Sequence, residues 1–420
     1  MGNQIIIEEG KHTLSMNIFI SLKHRSFAFL WSGQTVSRLG DNFYTVALAL
    51  WVLEKTGSAA AMGLVLICTT VPQVALSLPG GVLVDRFSRL SLMLASDLLR
   101  ALMAGLIAFL AASNRLEVWH VLVASAIFGA VDAVFYPAYT AVVPDVVPAD
   151  ALPSANSLRS ISLQLAGIVG PAAAGWVVAR GGTPLAFALN SVSFGISALC
   201  LLAVPRISVT SRAVEEKSPS NALQDLIQGM RTVFQSPWLW ITIAIAGISN
   251  ITLSGPFEAA LPLLVKERFG TAAQSYGLLL SFAAVGSVLA ALWTGWQKRL
   301  RRRAYLVYGP WLAASLMLFA MGLPLPFAVM SLAICVWGAG IELLGLAWTN
   351  SLQELVPPDR LGRVASIDAL GSYVLLPVGY GLAGIAADHW GAALVFVAGG
   401  LLSAAMIACG LLHPAVRAVD

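Results

Sequence analysis

Seven ionisable side chains stand inside long apolar stretches of this chain: Arg38 and Asp41, Asp97 and Arg100, Asp132, Glu258 and Glu342. A charged group near the middle of a bilayer costs several kcal/mol, about 3 on insertion scales, so each should face a watery cavity or a partner. A carboxyl in such a place can take up and release a proton. Burial opposes its charged form and a nearby guanidinium favours it, so opposed influences bring proton exchange within physiological reach. Arg38 and Asp41, three residues apart on one helical face, combine the two influences. Asp41 is therefore the leading candidate for a proton carrier, with Arg38, Asp132 and Glu342 as the other coupling residues. A permanent Arg38–Asp41 ion pair that only specifies packing is the competing use. Glu258 lies in Gly255-Pro256-Phe257-Glu258, where Pro256 should break helical regularity, and suits binding of a cationic compound. Asp97 and Arg100, also three apart, read as a structural pair nearer one end of their stretch. Phe43, Tyr136 and Trp337 offer faces on which an amphipathic compound can stack, and Pro137 can open the helix beside Asp132 and Tyr136.

Other chemistries find no support. The sequence contains no Gly-x-x-x-x-Gly-Lys-Ser/Thr, no HExxH and no Gly-x-Ser-x-Gly, which argues against a nucleotide-driven pump and against a hydrolase. Cys68, Cys200, Cys335 and Cys409 each lie in apolar surroundings without ligand spacing, so no metal, cofactor or disulfide framework is expected. Hydrophobic residues make up 58% of the chain and charged ones 11%. Soluble domains average about 25% charged, so the chain belongs in lipid. Its net charge of +4 is spread over many short loops, which excludes nucleic acid as a partner.

The elements that must position these residues are membrane helices. A span takes roughly 20 apolar residues, and twelve such windows run from 26–53 to 391–412, separated by short loops such as Asn114-Arg115 and Gly181-Gly182. One connection is long: a linker at 205–236 with Arg206, Arg212, Glu215, Glu216 and Lys217. The expected organisation is an N-terminal segment 1–25, a six-helix bundle 26–204, the linker 205–236, a second six-helix bundle 237–413 and a tail 414–420. Lys and Arg concentrate on the side of the termini, densest at Lys298-Arg299-Leu300-Arg301-Arg302-Arg303, which places both termini in the cytoplasm. The two bundles are repeats. Val147-Pro148-Ala149-Asp150-Ala151-Leu152 returns 209 positions later as Val356-Pro357-Pro358-Asp359-Arg360-Leu361, and the same offset pairs Gly129 with Gly338, Gly170 with Gly379 and Gly175 with Gly384. Asp132 and Glu342 stand one residue out of that register.

A doubled six-helix unit with a charged central linker resembles the major facilitator superfamily of secondary transporters, over nearly the whole chain. Between spans 2 and 3, Gly81-Val82-Leu83-Val84-Asp85-Arg86-Phe87-Ser88-Arg89 is similar to the superfamily's loop signature, with Ser88 in place of the usual Gly. The resemblance implies a cytoplasmic gate of Gly81, Asp85, Arg86 and Arg89, with Asp145 and Glu354 as candidate partners that close the two bundles together. In span 5, Gly167, Gly170, Pro171 and Gly175 resemble the motif of the superfamily's exporters, where small residues and a proline allow two spans to rock. Gln34-Thr35-Val36-Ser37-Arg38-Leu39-Gly40-Asp41 looks like the branch containing macrolide efflux pumps and the enterobactin exporter. The implied function is a proton-coupled antiporter of the bacterial inner membrane, acting as a monomer. It would exchange protons for amphipathic drugs or bulky metabolites by alternating access. Export of a siderophore or lipid-like compound, or a non-transporting receptor on the same scaffold, are the alternatives.

Overall fold

The computed structural model describes residues 18–205, 222–270, 272–297 and 302–418. The charges of 206–217 and those of Lys298, Arg299 and Arg301 lie outside the described residues. Among the described residues the chain is helical, and ten helices are long and apolar enough to cross a membrane. One of them, Leu152–Ala203, doubles back at Gly182, whose φ of 73° is a left-handed conformation that glycine adopts freely, so it supplies spans 5 and 6. Arg25–Thr56, a 32-residue helix with Arg38 and Asp41 within it, is span 1. Twelve spans result. Spans 2 to 4 are Ala59–Arg86, Arg89–Ala112 and Val118–Val146, and spans 8 to 10 are Ala272–Trp296, Arg303–Gly322 and Phe327–Leu355. Span 12 is Ala392–Leu412.

Spans 7 and 11 are irregular. Span 7 runs from Pro237 to Phe269 through two π-helical turns, Asn250–Ser254 and Pro256–Ala260, the second holding Glu258. Such turns widen a helix and turn side chains off the regular register. Span 11 is divided into Pro358–Tyr373 and Leu376–Trp390, with Pro377 opening the second piece. The end of the linker is itself a helix, Ala222–Gln235. Its Val233 is buried with Leu239 and Ile243 of span 7 and with Val364 of span 11.

Chain ends and even-to-odd loops share one face of the molecule, here the terminal face; the opposite one is the far face. Ser21 ties the entry of span 1 to Ser154 at the entry of span 5 on the terminal face. Ser88, the residue that departs from glycine in the loop signature, has φ −58° and accepts a hydrogen bond from Ser91 N. It caps span 3, a role its hydroxyl fills and glycine lacks.

Repeat-related glycines make equivalent contacts. A methyl group at Gly129 would strike the carbonyl of Thr69 on span 2, and one at Gly338 that of Ala283 on span 8. Gly170 lies against Asn42 of span 1, and Gly379 against Asn250 and Ile251 of span 7. Gly175 meets the backbone of Ala273 at the start of span 8, and Gly384 that of Ala59 at the start of span 2. The last pair joins the two bundles, and both contacts lie toward the far face. Gly63 against the Tyr380 carbonyl and Gly277 against the Pro171 carbonyl complete the same two seams, spans 2 with 11 and 5 with 8. Small residues let backbones come this close, which is how helices associate in lipid where hydrophobic burial gives little.

Hydrogen bonds join the bundles along these seams. Ser281 accepts one from Ala172 N at 3.0 Å. At the far end, the Asp388 carboxylate at the close of span 11 accepts from Ala59 N at 2.6 Å, from Ala60 N at 3.2 Å and from the Ser58 hydroxyl. An acid at the end of its own helix is poorly placed against that helix's dipole, but here it meets the positive start of span 2. Its position is set by the other bundle.

Candidate functional site

The first group of charges lies at mid-depth in the N-terminal bundle. Arg100 is midway along span 3, not near its end, and its guanidinium pairs with Asp132 of span 4, not with Asp97. The i, i+3 spacing of Asp97 and Arg100 thus gives no pair. Packing of span 3 against spans 4 and 6 offers each a better partner. Asp97 is fully buried and accepts from the Ser197 hydroxyl of span 6 at 2.7 Å and from Gln34 Nε2 of span 1 at 3.5 Å. Gln34 also donates to Ser197 at 2.9 Å. The Arg100 guanidinium lies 4.4 Å from the centre of the Phe135 ring and 5.6 Å from that of Phe194. Two atoms of this cluster are buried without a hydrogen-bond partner, Arg100 Nε and Asp97 Oδ1.

Asp41, midway along span 1, is within electrostatic reach of Arg100, Arg38 and Asp132. Its contact with Arg38 is loose at 3.8 Å, beyond hydrogen-bonding range. The Asp41 and Asp132 side chains keep 34% and 41% of their surface accessible, and Arg38 36%. A cavity of about 250 Å³ opens beside Arg38 between spans 1, 4 and 5, lined by Gln34, Arg38, Tyr136, Tyr139 and Arg159. Tyr136 is 62% exposed. Arg159 lies over the Tyr139 ring at 4.3 Å. Phe43 packs against the main apolar core, and its neighbour Tyr44 is buried and stacked on Phe128 at 4.8 Å.

In the C-terminal bundle, Glu258 is exposed although Phe257, Ala259 and Ala260 around it are buried. It stands in the π turn and has no ion-pair or hydrogen-bond partner among the described residues. Tyr276 and Tyr380, both buried, lie within its electrostatic reach. Trp337 stacks on Phe257 with centroids 3.7 Å apart, and its Nε1 is buried without a partner. Glu342, half-buried on span 10, likewise has no ion pair among the described residues. Asp368 accepts from Trp348 Nε1 at 2.9 Å.

On the terminal face the charges pair within each bundle. Arg89 binds Asp145 at 2.6 Å and the Ala141 carbonyl at 3.0 Å, tying span 3 to span 4. Arg303 pairs with Glu354, tying span 9 to span 10. Glu354 is therefore engaged inside its own bundle, not with the loop between spans 2 and 3. Asp85 and Arg86 are exposed and form no ion pair among the described residues. Gly81 faces open space, and the glycine that packs is Gly80, against the Ala133 carbonyl of span 4. Of the span 5 motif, Gly170 packs on span 1, Pro171 and Gly175 form the seam with span 8, and Gly167 makes an ordinary contact with Ala284.

Sequence reasoning misses the Arg100–Asp132 pair, the Gln34–Ser197–Asp97 network and Asp388. Their partners sit on different spans. The one visible signal was an arginine at the centre of span 3, with a glutamine and a serine inside apolar spans 1 and 6.

The family model described as Major Facilitator Superfamily matches residues 30–380 and 257–418. Macrolide efflux protein A of Streptococcus pyogenes is 26% identical over 416 residues, covering 94% of this chain and 97% of that protein. The multidrug efflux pump Tap of Mycolicibacterium fortuitum is 27% identical over 397 residues, 91% and 94% of the two chains. Among solved structures, a bacterial homologue of the iron transporter ferroportin, in an inward-facing state, superposes with a TM-score of 0.70. It is 17% identical and covers 93% of this chain and 99% of its own.

Proposed function

This chain belongs to the major facilitator superfamily, as a multi-pass membrane transporter and not an enzyme, and on that premise we propose that it is a proton-driven exporter of amphipathic drugs. Segments 26–204 and 237–413 are the two bundles that rock about the hollow, and the terminal face is cytoplasmic, as the placement of Lys and Arg supports. The membrane is the bacterial inner membrane, and the working unit is a monomer. The observation that carries the reading is the accessibility of Asp41 and Asp132 at mid-membrane, where a carboxylate with no task would be expensive to retain. The full-length likeness to a macrolide and a multidrug efflux protein supports export of bulky amphipathic compounds.

With the far-face seams closed, substrate enters from the cytoplasm and meets Glu258, Tyr136, Phe43 and Trp337, while Asp41, Arg38, Asp132 and Glu342 manage the proton. Pro171 and its flanking glycines let span 5 tilt against span 8, and Gly81, Asp85, Arg86, Arg89, Asp145 and Glu354 shape the cytoplasmic rim that must close when the far face parts. A proton from outside then replaces the departing substrate, and the chamber returns. The test is purified protein in liposomes with an imposed pH gradient and two probes, the macrolide erythromycin and the cation ethidium. Probe flux against the proton gradient, abolished by a protonophore, is expected. Saturable binding with no gradient-dependent flux would make the protein a receptor and refute export.

A further inference from the structure

We infer that the cavity between spans 1, 4 and 5 is an anion site, in which Arg38 and Arg159 hold the carboxylate of an amphipathic aromatic acid. The inference deepens the exporter reading by naming a substrate class, and it rests on that reading for transport but not for binding.

Among the described residues the lining carries two guanidinium groups and no carboxylate. Arg38 and Arg159 lie in the half of spans 1 and 5 nearer the terminal face, and Tyr136 and Tyr139 in the same half of span 4. A guanidinium inside a membrane span is costly unless it meets water or a partner. Arg38 reaches only Asp41, at 3.8 Å, too far for a hydrogen bond. Arg159 makes no ion pair among the described residues. The acids of span 4 are engaged elsewhere, Asp132 with Arg100 and Asp145 with Arg89. One loosely held acid against two cations leaves the wall net positive, so an entering anion is attracted and finds no carboxylate of the lining in its place.

The walls are set before any ligand arrives. Trp31 Nε1 donates to Ser162 Oγ at 2.8 Å, which ties span 1 to span 5 at the cavity. Gln34 is buried and donates to Ser197 at 2.9 Å. Tyr139 is buried too, and the Arg159 guanidinium rests over its ring at 4.3 Å. That contact restrains the cation without using up its five N–H donors, and the fork they form matches the two oxygens of a carboxylate. At about 250 Å³ the cavity is smaller than the roughly 300–1,000 Å³ that encloses a whole drug-sized ligand. It therefore takes the head of a molecule and leaves the body against Tyr136 and Leu163, which are 62% and 57% exposed. A flat apolar body stacks on the Tyr136 ring. An aromatic acid meets all of these features, whereas a cation meets the wrong charge.

The test is calorimetric titration of the full-length protein, in nanodiscs of phosphatidylcholine, with naphthoate and its uncharged amide naphthamide, which share one shape and differ in charge. Naphthoate should bind about tenfold more tightly, the increment of one bidentate contact between charged groups. Arg159→Gln should erase that preference, and Arg159→Lys, which keeps the charge without the fork, should restore part of it. Ser160→Asp, at an exposed position of the lining, puts an acid of the protein's own into the site. It should weaken naphthoate and spare the amide, which keeps the inference testable if Arg159→Gln fails to fold. Equal affinity for the two probes in the native protein, or a preference that survives both changes, overturns the inference. Glycerol phosphate, the charged head of an anionic lipid without its chains, should displace naphthoate only weakly, because it lacks the ring. Displacement as strong as by unlabelled naphthoate itself would make a phosphate headgroup the occupant and overturn the assignment to an aromatic acid. The two readings fail separately. A preference for naphthoate with no gradient-driven flux of any probe would fault export, whereas flux of erythromycin without that preference, or without flux of naphthoate, would refute the substrate class.

Discussion

Replacing Asp388 by asparagine should unlatch the far face. The carboxylate accepts from two backbone N–H groups at the start of span 2 and from Ser58, all across the boundary between bundles. Loss of a helix-capping acceptor costs about 0.5–2 kcal/mol, and the interaction of a charge with a helix end adds roughly 0.3–1 kcal/mol. Asparagine keeps one acceptor oxygen, and the site is exposed enough for solvent to screen the charge. A net loss of about 1.5 kcal/mol is therefore expected, on the order of tenfold in the ratio of closed to open far face. Spin labels at Arg115→Cys and Pro324→Cys, on far-face loops of opposite bundles, would read that ratio as two distance populations. The open population should grow about tenfold in Asp388→Asn and less in Ser58→Ala, which leaves the carboxylate and its two backbone bonds in place. An unchanged distribution would show that the glycine seams alone hold the face shut and that the latch is incidental.

Asp41→Asn should abolish pH-gradient-driven efflux from liposomes while leaving thermal stability within about 1 kcal/mol, because its contact with Arg38 is loose; retained coupling would remove Asp41 from the proton path. Glu258→Gln should raise the KM for ethidium at least tenfold and leave a neutral probe nearly unaffected; equal loss for both would argue for a packing role. Gly129→Ala should destabilise the fold by about 1–3 kcal/mol through overpacking on span 2. Gly81→Ala, facing open space, should be neutral, and matching unfolding temperatures for the two variants would contradict the contact.

What could be read from the chain alone was whatever repeats or has a period. The glycines 209 positions apart are legible because the same helix contact, made twice, needs the same missing side chain. Gly182 and Asn114 marked loops because both occupy positive φ. Glu258 is picked out by its charge inside an apolar span and its proline neighbour, and the π turn explains how it stays exposed between buried neighbours. Partnerships between spans were another matter. Asp97 and Arg100 looked like a pair on one helix face, yet Ser197 and Asp132 are nearer, and nothing local in the sequence encodes which spans become neighbours. The terminal-face charges were assigned to contacts between bundles, whereas Arg89 and Arg303 turn to acids of adjacent spans within their own bundles. The loop signature specified charges, and geometry chose their mates.

Along the seams of spans 2 with 11 and 5 with 8, main chain lies against main chain, as where Gly63 meets Tyr380 and Gly277 meets Pro171. At these crossings a carbonyl faces a glycine and not a donor, so the polar contacts among the described residues that must break on separation are few: the bond from Ala172 N to Ser281 and those that Asp388 accepts. At those two crossings no side chain has to be drawn out of a socket before the bundles part. Such a barrier resembles two smooth rails more than a zip: it excludes passage while shut and can slide apart where backbone meets backbone.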